Sequence, residues 1–213
     1  MAEAHRGFLV LADVTGYTAF VTATELEHGP PIVAALLEEV IRRIAPPLDI
    51  LGIEGDAVFA LGPDGSLVPP AALLDILRAG FEGFRTRQLE LDADDSCACR
   101  VCRGVCHLRL KIVGHHGSFL RHAVAGRMQA LGSDVILAHR LLKNGVAGDH
   151  DYALFTRPAL DAMGMAPDDA TLVPRTERYE HFGDVPCFVT TALPSAWSRS
   201  DRTDTGGARA GLA

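Results

Sequence analysis

The sequence predicts an α+β sandwich, in which a mostly antiparallel sheet carries helices on one face. Short apolar runs such as residues 7–13 have the length and character of buried strands. Several of these runs are joined by tight turns, as at residues 54–56, which is typical of hairpins. Between them, apolar residues recur at helical spacing from Val33 to Ile44 and from Leu73 to Phe84. Strands joined as hairpins and mixed with amphipathic helices favour this class.

The elements follow in order along the chain. Strands are expected at 7–13, on both sides of the turn at 54–56, at 107–113, at 118–125, and near 151–156, 174–182 and 185–192. Helices are expected after Gly16, over 33–44 up to Pro46-Pro47, over 73–84, over 132–143, and briefly from Pro158. His115 and His116 are expected in a turn between two of the strands. One domain is expected over residues 1–193, with a Cys-rich insert at about 92–106 and a flexible tail at 194–213.

Composition and charge limit the function classes. The chain has 213 residues, of which 48% are hydrophobic and 22% charged, as in a globular protein with a sizeable core. The net charge of −7 argues against nucleic acid and anionic membranes as partners. Neither a signal peptide nor an apolar run of about 18 residues is visible, so a cytoplasmic location is expected. In that compartment the 5 cysteines are expected to be thiols or metal ligands.

Two aspartates are placed where apolar strands end. Asp13 closes the run in "FLVLADVTGYTAF", and Asp56 lies in the turn of "EGDAVFA". If the first strand pairs beside the hairpin, both carboxylates project from one end of the sheet. Such a pair suits Mg²⁺ that also binds nucleotide phosphates. In the alternative interpretation Asp13 caps the next helix and Asp56 is an ordinary turn residue.

A second signal is the run "CACRVCRGVCH", with Cys97, Cys99, Cys102, Cys106 and His107. Thiolates at this density suit Zn²⁺, which takes four sulfur or nitrogen ligands. Cys99 and Cys102 form a C-x2-C pair, and the remaining ligands are expected among Cys97, Cys106 and a nearby histidine. A structural zinc in a stapled loop is the main interpretation; free or redox thiols and an iron–sulfur cluster are the alternatives.

Four segments together resemble the class III adenylyl and guanylyl (nucleotidyl) cyclases. "LADVTGYTAF" and "EGDAVFA" are similar to the two metal-binding motifs of that family, and "LKIVGHHGS" to the strand that follows them. "GSDVILAHRLL" is similar to the family's Gly-x-x-Val-x-x-Ala-x-Arg helix. The four come in the family's order over roughly residues 7–143, and "TERYEHFGDVPCFV" resembles the closing hairpin more weakly. The resemblance implies a ferredoxin-like cyclase-type sandwich, and the Cys-rich insert suggests a distinct bacterial subgroup.

The resemblance also implies roles for individual residues. Asp13 and Asp56 would hold paired Mg²⁺ or Mn²⁺ ions, and backbone amides of Val14, Thr15, Gly16 and Tyr17 would bind phosphate oxygens. Arg140 would stabilise the charge that develops at the α-phosphate of a nucleoside triphosphate. In the family this arginine comes from the second subunit, so a homodimer with sites at its interface is implied.

Three positions depart from the family pattern. Ile136 stands where the ribose-orienting asparagine is expected, and Gly52 lies near the position of the purine-selecting lysine. Gln129 lies near that lysine's usual aspartate partner, and its amide can still bind a base edge. Two hypotheses follow: an enzyme that forms a cyclic nucleotide, and a degenerate cyclase homology domain that binds a nucleotide or a partner.

Overall fold

The computed structural model describes residues 4–22, 28–93, 102–147 and 149–195, and shows one sheet of 8 strands with helices packed on it. Most of the segment predicted as a flexible tail, residues 196–213, lies outside the described residues. The strands are β1 (Ala4–Thr15), β2 (Asp49–Glu54), β3 (Ala57–Pro63), β4 (Arg109–Val124), β5 (Arg127–Leu131), β6 (Tyr152–Thr156), β7 (Val173–Tyr179) and β8 (Gly183–Thr190). The helices are α1 (Tyr17–Thr22), α2 (Gly29–Ile44), α3 (Ala72–Asp92), α4 (Ser133–Leu141), α5 (Arg157–Met163) and α6 (Ala192–Ser195), with a 3-10 helix at Cys102–His107.

The strand order is β2-β3-β1-β4-β6-β8-β7, and β5 pairs with the far end of β4. Neighbouring strands run antiparallel except β4 and β6, which are parallel because the crossover through α4 lies between them in the chain. The prediction of an α+β fold with a mostly antiparallel sheet is confirmed.

One face of the sheet is covered by α2 and α3. Val10 and Ala12 of β1 point to this side and pack in a single apolar cluster with Leu36 of α2 and Phe84 of α3. Side chains alternate along a strand, so every second residue of the central strands enters this cluster. We call this surface the helix-covered face.

The other face of the sheet carries α4. Leu9 and Leu11 point to this side and pack with Val135 and Ala138 of α4. The prediction that the helices lie on one face was therefore wrong for α4, which sequence periodicity assigns as helical but cannot assign to a side. We call this surface the α4 face.

The predicted turn at His115 and His116 is not present. β4 is continuous from Arg109 to Val124, and the two histidines pair with Leu9 and Phe8 of β1. His115 is 3% exposed, so polar residues that resemble a turn in the sequence are buried in the middle of the sheet. The turn lies instead at Ala125 and Gly126, both with positive φ, and leads into β5.

The longest helix, α3, extends past the predicted end at Phe84 to Asp92. Its buried Gln88 donates hydrogen bonds from Nε2 to the carbonyl oxygens of Val105 and Leu108, at 2.7 and 2.8 Å. These bonds fix the 3-10 helix against the core just before β4 begins. Among the helices of the described residues, none is both long and apolar enough to cross a bilayer.

Candidate functional site

Asp13 lies near the carboxyl end of β1, on the α4 face. Its Oδ2 lies 2.7 Å from Nζ of Lys111 in β4, and the two side chains are 14% and 16% exposed. Asp13 and Lys111 are direct cross-strand partners in the antiparallel ladder, so their side chains point to the same side. The Asp13 carboxylate is therefore paired across the two strands, while its role as a metal ligand or as a helix cap stays a prediction.

The β2–β3 hairpin carries Asp56 to the same end of the sheet. Gly55 has a φ of +65°, a conformation that favours glycine and closes the tight turn. The carbonyl oxygen of Asp56 accepts a hydrogen bond of 3.1 Å from the Val14 N–H. Burial raises the pKa of the Asp56 carboxyl, the negative charge of Asp13 raises it further, and Lys111 opposes both. The fold therefore brings Asp56 to the end of β1, next to the residue that follows Asp13.

The donor set fits a divalent cation. Carboxylate oxygens are the ligands that Mg²⁺ and Mn²⁺ prefer, and a cation relieves the mutual repulsion that raises the pKa of Asp56. No group of three or more His, Cys, Asp or Glu side chains suited to a metal occurs in the part of the chain that the structure describes. Water and ligand oxygens would therefore complete the coordination, which is usual for Mg²⁺.

Lys111 is the residue of this site that sequence reasoning missed. It stands alone between apolar neighbours, Leu110 and Ile112, in a strand predicted to be buried. A buried ammonium needs a charge partner because desolvation is costly. A single lysine in an apolar run was therefore the sequence feature that indicated a charged partner. The strand register identifies that partner as Asp13.

The backbone segment predicted to bind phosphate is only partly available. β1 continues through Thr15, and the Val14 N–H is already bonded to Asp56. Gly16 turns the chain with a φ of +91°, and α1 starts at Tyr17. The Val14 amide is thus not available to a phosphate in this conformation, which leaves Gly16 and Tyr17 for that role.

Arg140 lies on the exposed side of α4. Ile136, four residues earlier on the same side, is 54% exposed. Asp13 pairs with Lys111 and not with Arg140. The two positions that the family pattern assigns to ribose and α-phosphate therefore face away from the packed core of their own chain.

A cavity of about 310 Å³ lies beside β2, β3 and β5, and Gly52 and Gln129 both line it. The family pattern places both positions near the nucleotide base, and the fold brings them to the same cavity. His139 also lines the cavity, with Nδ1 3.7 Å from Oε2 of Glu54 and its ring edge-on to Phe59 at 4.9 Å between centroids. Glu54 and His139 are polar lining residues that the sequence analysis did not assign.

Of the predicted zinc ligands, Cys97 and Cys99 lie outside the described residues. Cys102 begins the 3-10 helix, and Cys106 near its end is partly buried. Cys187 is buried in β8, where burial raises the pKa of its thiol to about 12. The zinc site stays a prediction, and Cys187 stands apart from it.

The buried histidines are structural neighbours of α4 and of the β3–α3 loop. His115 Nδ1 lies 2.8 Å from Oγ1 of Thr156, and its Nε2 lies 3.5 Å from Oδ1 of Asp134 at the start of α4. His116 Nε2 lies 2.9 Å from Oδ1 of Asp64. The hydrogen bonds to Thr156 and Asp64 thus hold β6 and the β3–α3 loop to the central strand.

Comparison with solved structures identifies the fold as that of class III adenylyl and guanylyl cyclase domains. The adenylyl cyclase CyaB from P. aeruginosa superimposes with a TM-score of 0.68 at 14% identity, over 90% of this chain and 96% of that chain. The guanylyl cyclase Cya2 gives 0.63 at 17% identity, over 89% and 93%. A class III adenylyl cyclase-like ATP-binding protein from Pseudomonas aeruginosa gives 0.59 at 19% identity, over 76% of this chain and 35% of that chain.

By sequence, the chain belongs to the family described as "Protein of unknown function (DUF2652)", which it matches over residues 33–152. It is also 31% identical over 170 residues to the "Uncharacterized protein Rv2561/Rv2562" of Mycobacterium tuberculosis (strain ATCC 25618 / H37Rv), covering 76% of each chain. This chain therefore combines a class III cyclase-type fold with low sequence identity, 14% and 17%, to the first two cyclases compared.

Proposed function

We propose that this protein is a class III nucleotidyl cyclase-like enzyme that converts a nucleoside triphosphate into a cyclic nucleotide and pyrophosphate. The observation that carries the proposal is the placement of Asp13 and Asp56 at one end of a cyclase-type sheet, where the carbonyl oxygen of Asp56 accepts a 3.1 Å hydrogen bond from the N–H of Val14, the residue after Asp13. Neighbouring carboxylates repel each other, and Lys111 supplies one positive charge for the two. A divalent cation would balance the remaining negative charge, which supports a metal-dependent function.

Asp13 and Asp56 would hold Mg²⁺ or Mn²⁺ in a two-metal site. When bound, such ions lower the pKa of the ribose 3′-hydroxyl and neutralise triphosphate oxygens. The 3′-hydroxyl would lose its proton to water, its oxygen would bond to the α-phosphorus, and the bond from the α-phosphorus to the β-phosphate oxygen would break as pyrophosphate leaves. The amides of Gly16 and Tyr17, at the turn into α1, would donate to phosphate oxygens.

Arg140 would act across a homodimer interface. Its side chain is exposed on α4 and its own chain's Asp13 is paired with Lys111, so it is available to a second copy. Exposed apolar side chains support such an interface near the cavity, with Ile53 at 56%, Met128 at 44% and Ile136 at 54% exposure. An arginine suits the α-phosphate because it stays protonated and contacts two oxygens.

The direct test incubates pure protein with Mn²⁺ or Mg²⁺ and each of ATP, GTP, CTP and UTP, and detects cyclic products by mass spectrometry. A metal-dependent product that Asp13→Ala abolishes is expected. Asp75→Ala, an exposed aspartate on α3, is the matched control and should leave turnover unchanged.

The dimer is tested by complementation. Asp13→Ala and Arg140→Ala should each be inactive, and mixing them should restore one competent site in some heterodimers, since one subunit supplies the metal ligands and the other the arginine. Arg178→Ala, at an exposed arginine, is the control for loss of a surface charge. Wild-type activity without rescue in confirmed heterodimers would show that Arg140 does not act in trans.

A second function is favoured by Ile136 and Gly52. Ile136 offers no hydrogen bond to a ribose, and Gly52 places no side chain in the cavity. On that basis the domain would bind a nucleoside triphosphate with a metal and not turn it over. Metal-dependent nucleotide binding that Asp56→Ala abolishes, with no cyclic product from any nucleotide, would establish this function in place of the first.

We also propose that Cys97, Cys99, Cys102 and Cys106 hold one structural zinc. Their spacing supports this, as do the hydrogen bonds from Gln88 that hold the 3-10 helix containing Cys102 and Cys106. Elemental analysis of protein purified without added metal should find about one zinc per chain. Zinc-free folded protein in which these thiols all react with a thiol reagent would refute the site.

A further inference from the structure

Lys111 places one positive charge at the carboxylate pair of the candidate metal site. Its Nζ lies 2.7 Å from Asp13 Oδ2, well inside ion-pair range. Its positive charge also acts on Asp56, where it opposes the effects of burial and of Asp13. The ammonium group therefore serves both carboxylates as a tethered counter-ion.

Burial makes this ion pair stronger than a pair on the surface. The side chains of Asp13 and Lys111 are 14% and 16% exposed, so water screens their attraction little. Their partnership is also fixed by backbone pairing, since Asp13 lies directly opposite Lys111 across β1 and β4. A divalent cation at Asp13 would bind the carboxylate whose Oδ2 this ammonium already contacts, and two cations so close repel each other strongly.

We propose that Lys111 is the resident cation of the Asp13–Asp56 pair, and that a divalent metal binds Asp13 only when it displaces the Lys111 ammonium. The inference rests on the proposed metal site. The Lys111 ammonium then competes with a metal ion for the Asp13 carboxylate, so a metal ion without nucleotide binds weakly. A triphosphate that arrives with the metal brings acceptor oxygens for the displaced ammonium and so assists the exchange.

The first experiment observes the exchange directly. Lysine occurs in this chain at positions 111 and 143 only, and Lys143 is exposed at the end of α4. Protein labelled with ¹³C at lysine Cε therefore has two lysine signals in an NMR spectrum. Titration with Mg²⁺ should shift the Lys111 signal and leave the Lys143 signal in place. Bound Mg²⁺ with an unmoved Lys111 signal would overturn the inference and leave the metal site standing.

The second experiment measures affinity for Mn²⁺ alone by electron paramagnetic resonance. Lys111→Met keeps most of the aliphatic stem and removes the charge, so it should bind Mn²⁺ about tenfold more tightly or better, the size of effect expected when a partner of a metal ligand is changed. Lys111→Arg keeps the charge and should stay weak. Lys143→Met is the matched control and should equal the wild type.

The outcomes separate this inference from the proposed function. In one case the wild type binds Mn²⁺ and Asp13→Ala does not. Equal or weaker Mn²⁺ binding by folded Lys111→Met would then refute competition by Lys111 and leave the proposed metal site standing. Absence of Mn²⁺ binding by both the wild type and Lys111→Met refutes the site and the competitor together. The NMR titration uses unaltered protein, so it decides the question even if a variant fails to fold.

Discussion

The two faces of the sheet differ in how they are covered. On the helix-covered face, α2 and α3 enclose an apolar cluster whose residues run from Phe8 to Leu193 in the chain. The α4 face is covered by a shorter helix and two smaller clusters, and it carries the buried His115 and the partly buried ion pair of Asp13 and Lys111. Polar groups of this kind are costly in a core.

This difference assigns separate roles to the faces. An apolar face under long helices supplies stability through burial. The α4 face has ion pairs, a cavity and exposed apolar side chains, so it contributes less to stability. These features are typical of a surface that binds ligands or a second chain. Substitutions on each face test whether the two faces have these separate roles.

The largest effect is expected on the helix-covered face. Phe84 is fully buried between α3 and the sheet, and Phe84→Ala should reduce the free energy of unfolding by about 3–5 kcal/mol. In protein dilute enough to be monomeric, Ile136→Ala on the α4 face should change it by less than about 0.5 kcal/mol, because the side chain is 54% exposed in the single chain. Urea unfolding of both variants measures the contrast. A large loss for Ile136→Ala that depends on protein concentration would show that a second copy covers that face.

The next effect concerns activity on the α4 face. Ile136→Asn restores an amide where the family pattern has one, so the cyclic-product rate should rise by about 10- to 100-fold if the ribose contact limits turnover. Ile136→Ala is the control, because it also removes the apolar side chain and supplies no hydrogen bond. Equal rates for the two variants would show that this position does not contact the ribose.

A smaller effect is expected where α3 holds the 3-10 helix. Gln88→Leu leaves the buried carbonyl groups of Val105 and Leu108 without their donor, which should cost about 1–3 kcal/mol of unfolding free energy. Gln129→Leu, at an exposed position of β5, is the matched control and should cost about 0.5 kcal/mol or less. Equal losses would mean that the Gln88 bonds contribute little.

The smallest effect is a pH dependence on the α4 face. Burial lowers the pKa of His115 from its ordinary value of 6.5, and the neighbouring Asp134 opposes this while His116 adds to it. Because the folded pKa is the lower one, the stabilising contribution is complete above about pH 6.5 and is lost as pH falls through the folded value.

The variant His115→Asn tests the direction of this pH dependence of stability, and it keeps a polar group near Thr156. Between about pH 7.5 and 5.5, its unfolding free energy should fall less than that of the wild type, since the variant has no imidazole to protonate. His181→Asn, at a side chain that is 84% exposed, should follow the wild type. A steeper fall in His115→Asn would contradict the assignment.

Local patterns predicted most of the elements. Helical spacing indicated α2, α3 and α4, and the Glu54–Asp56 turn between apolar runs indicated the β2–β3 hairpin, because periodicity and turn chemistry act over a few residues. The same reasoning misplaced a turn at His115, since two adjacent histidines and a glycine resemble a loop until β1 is seen to pair with them. It also missed β5, which is largely exposed and pairs only with the end of β4.

The sequence alone determined the class of fold, the ends of the strands where Asp13 and Asp56 stand, and the chemistry that two carboxylates offer. Only the tertiary structure decided that α4 lies on the opposite face from α2 and α3, that Gly52 and Gln129 share a cavity, and that Lys111 neutralises Asp13. The physical reason is that strand register and the side on which a helix packs depend on contacts between residues far apart in the chain. A one-residue change in the β1–β4 register would turn Lys111 away from Asp13, and no local pattern specifies that register.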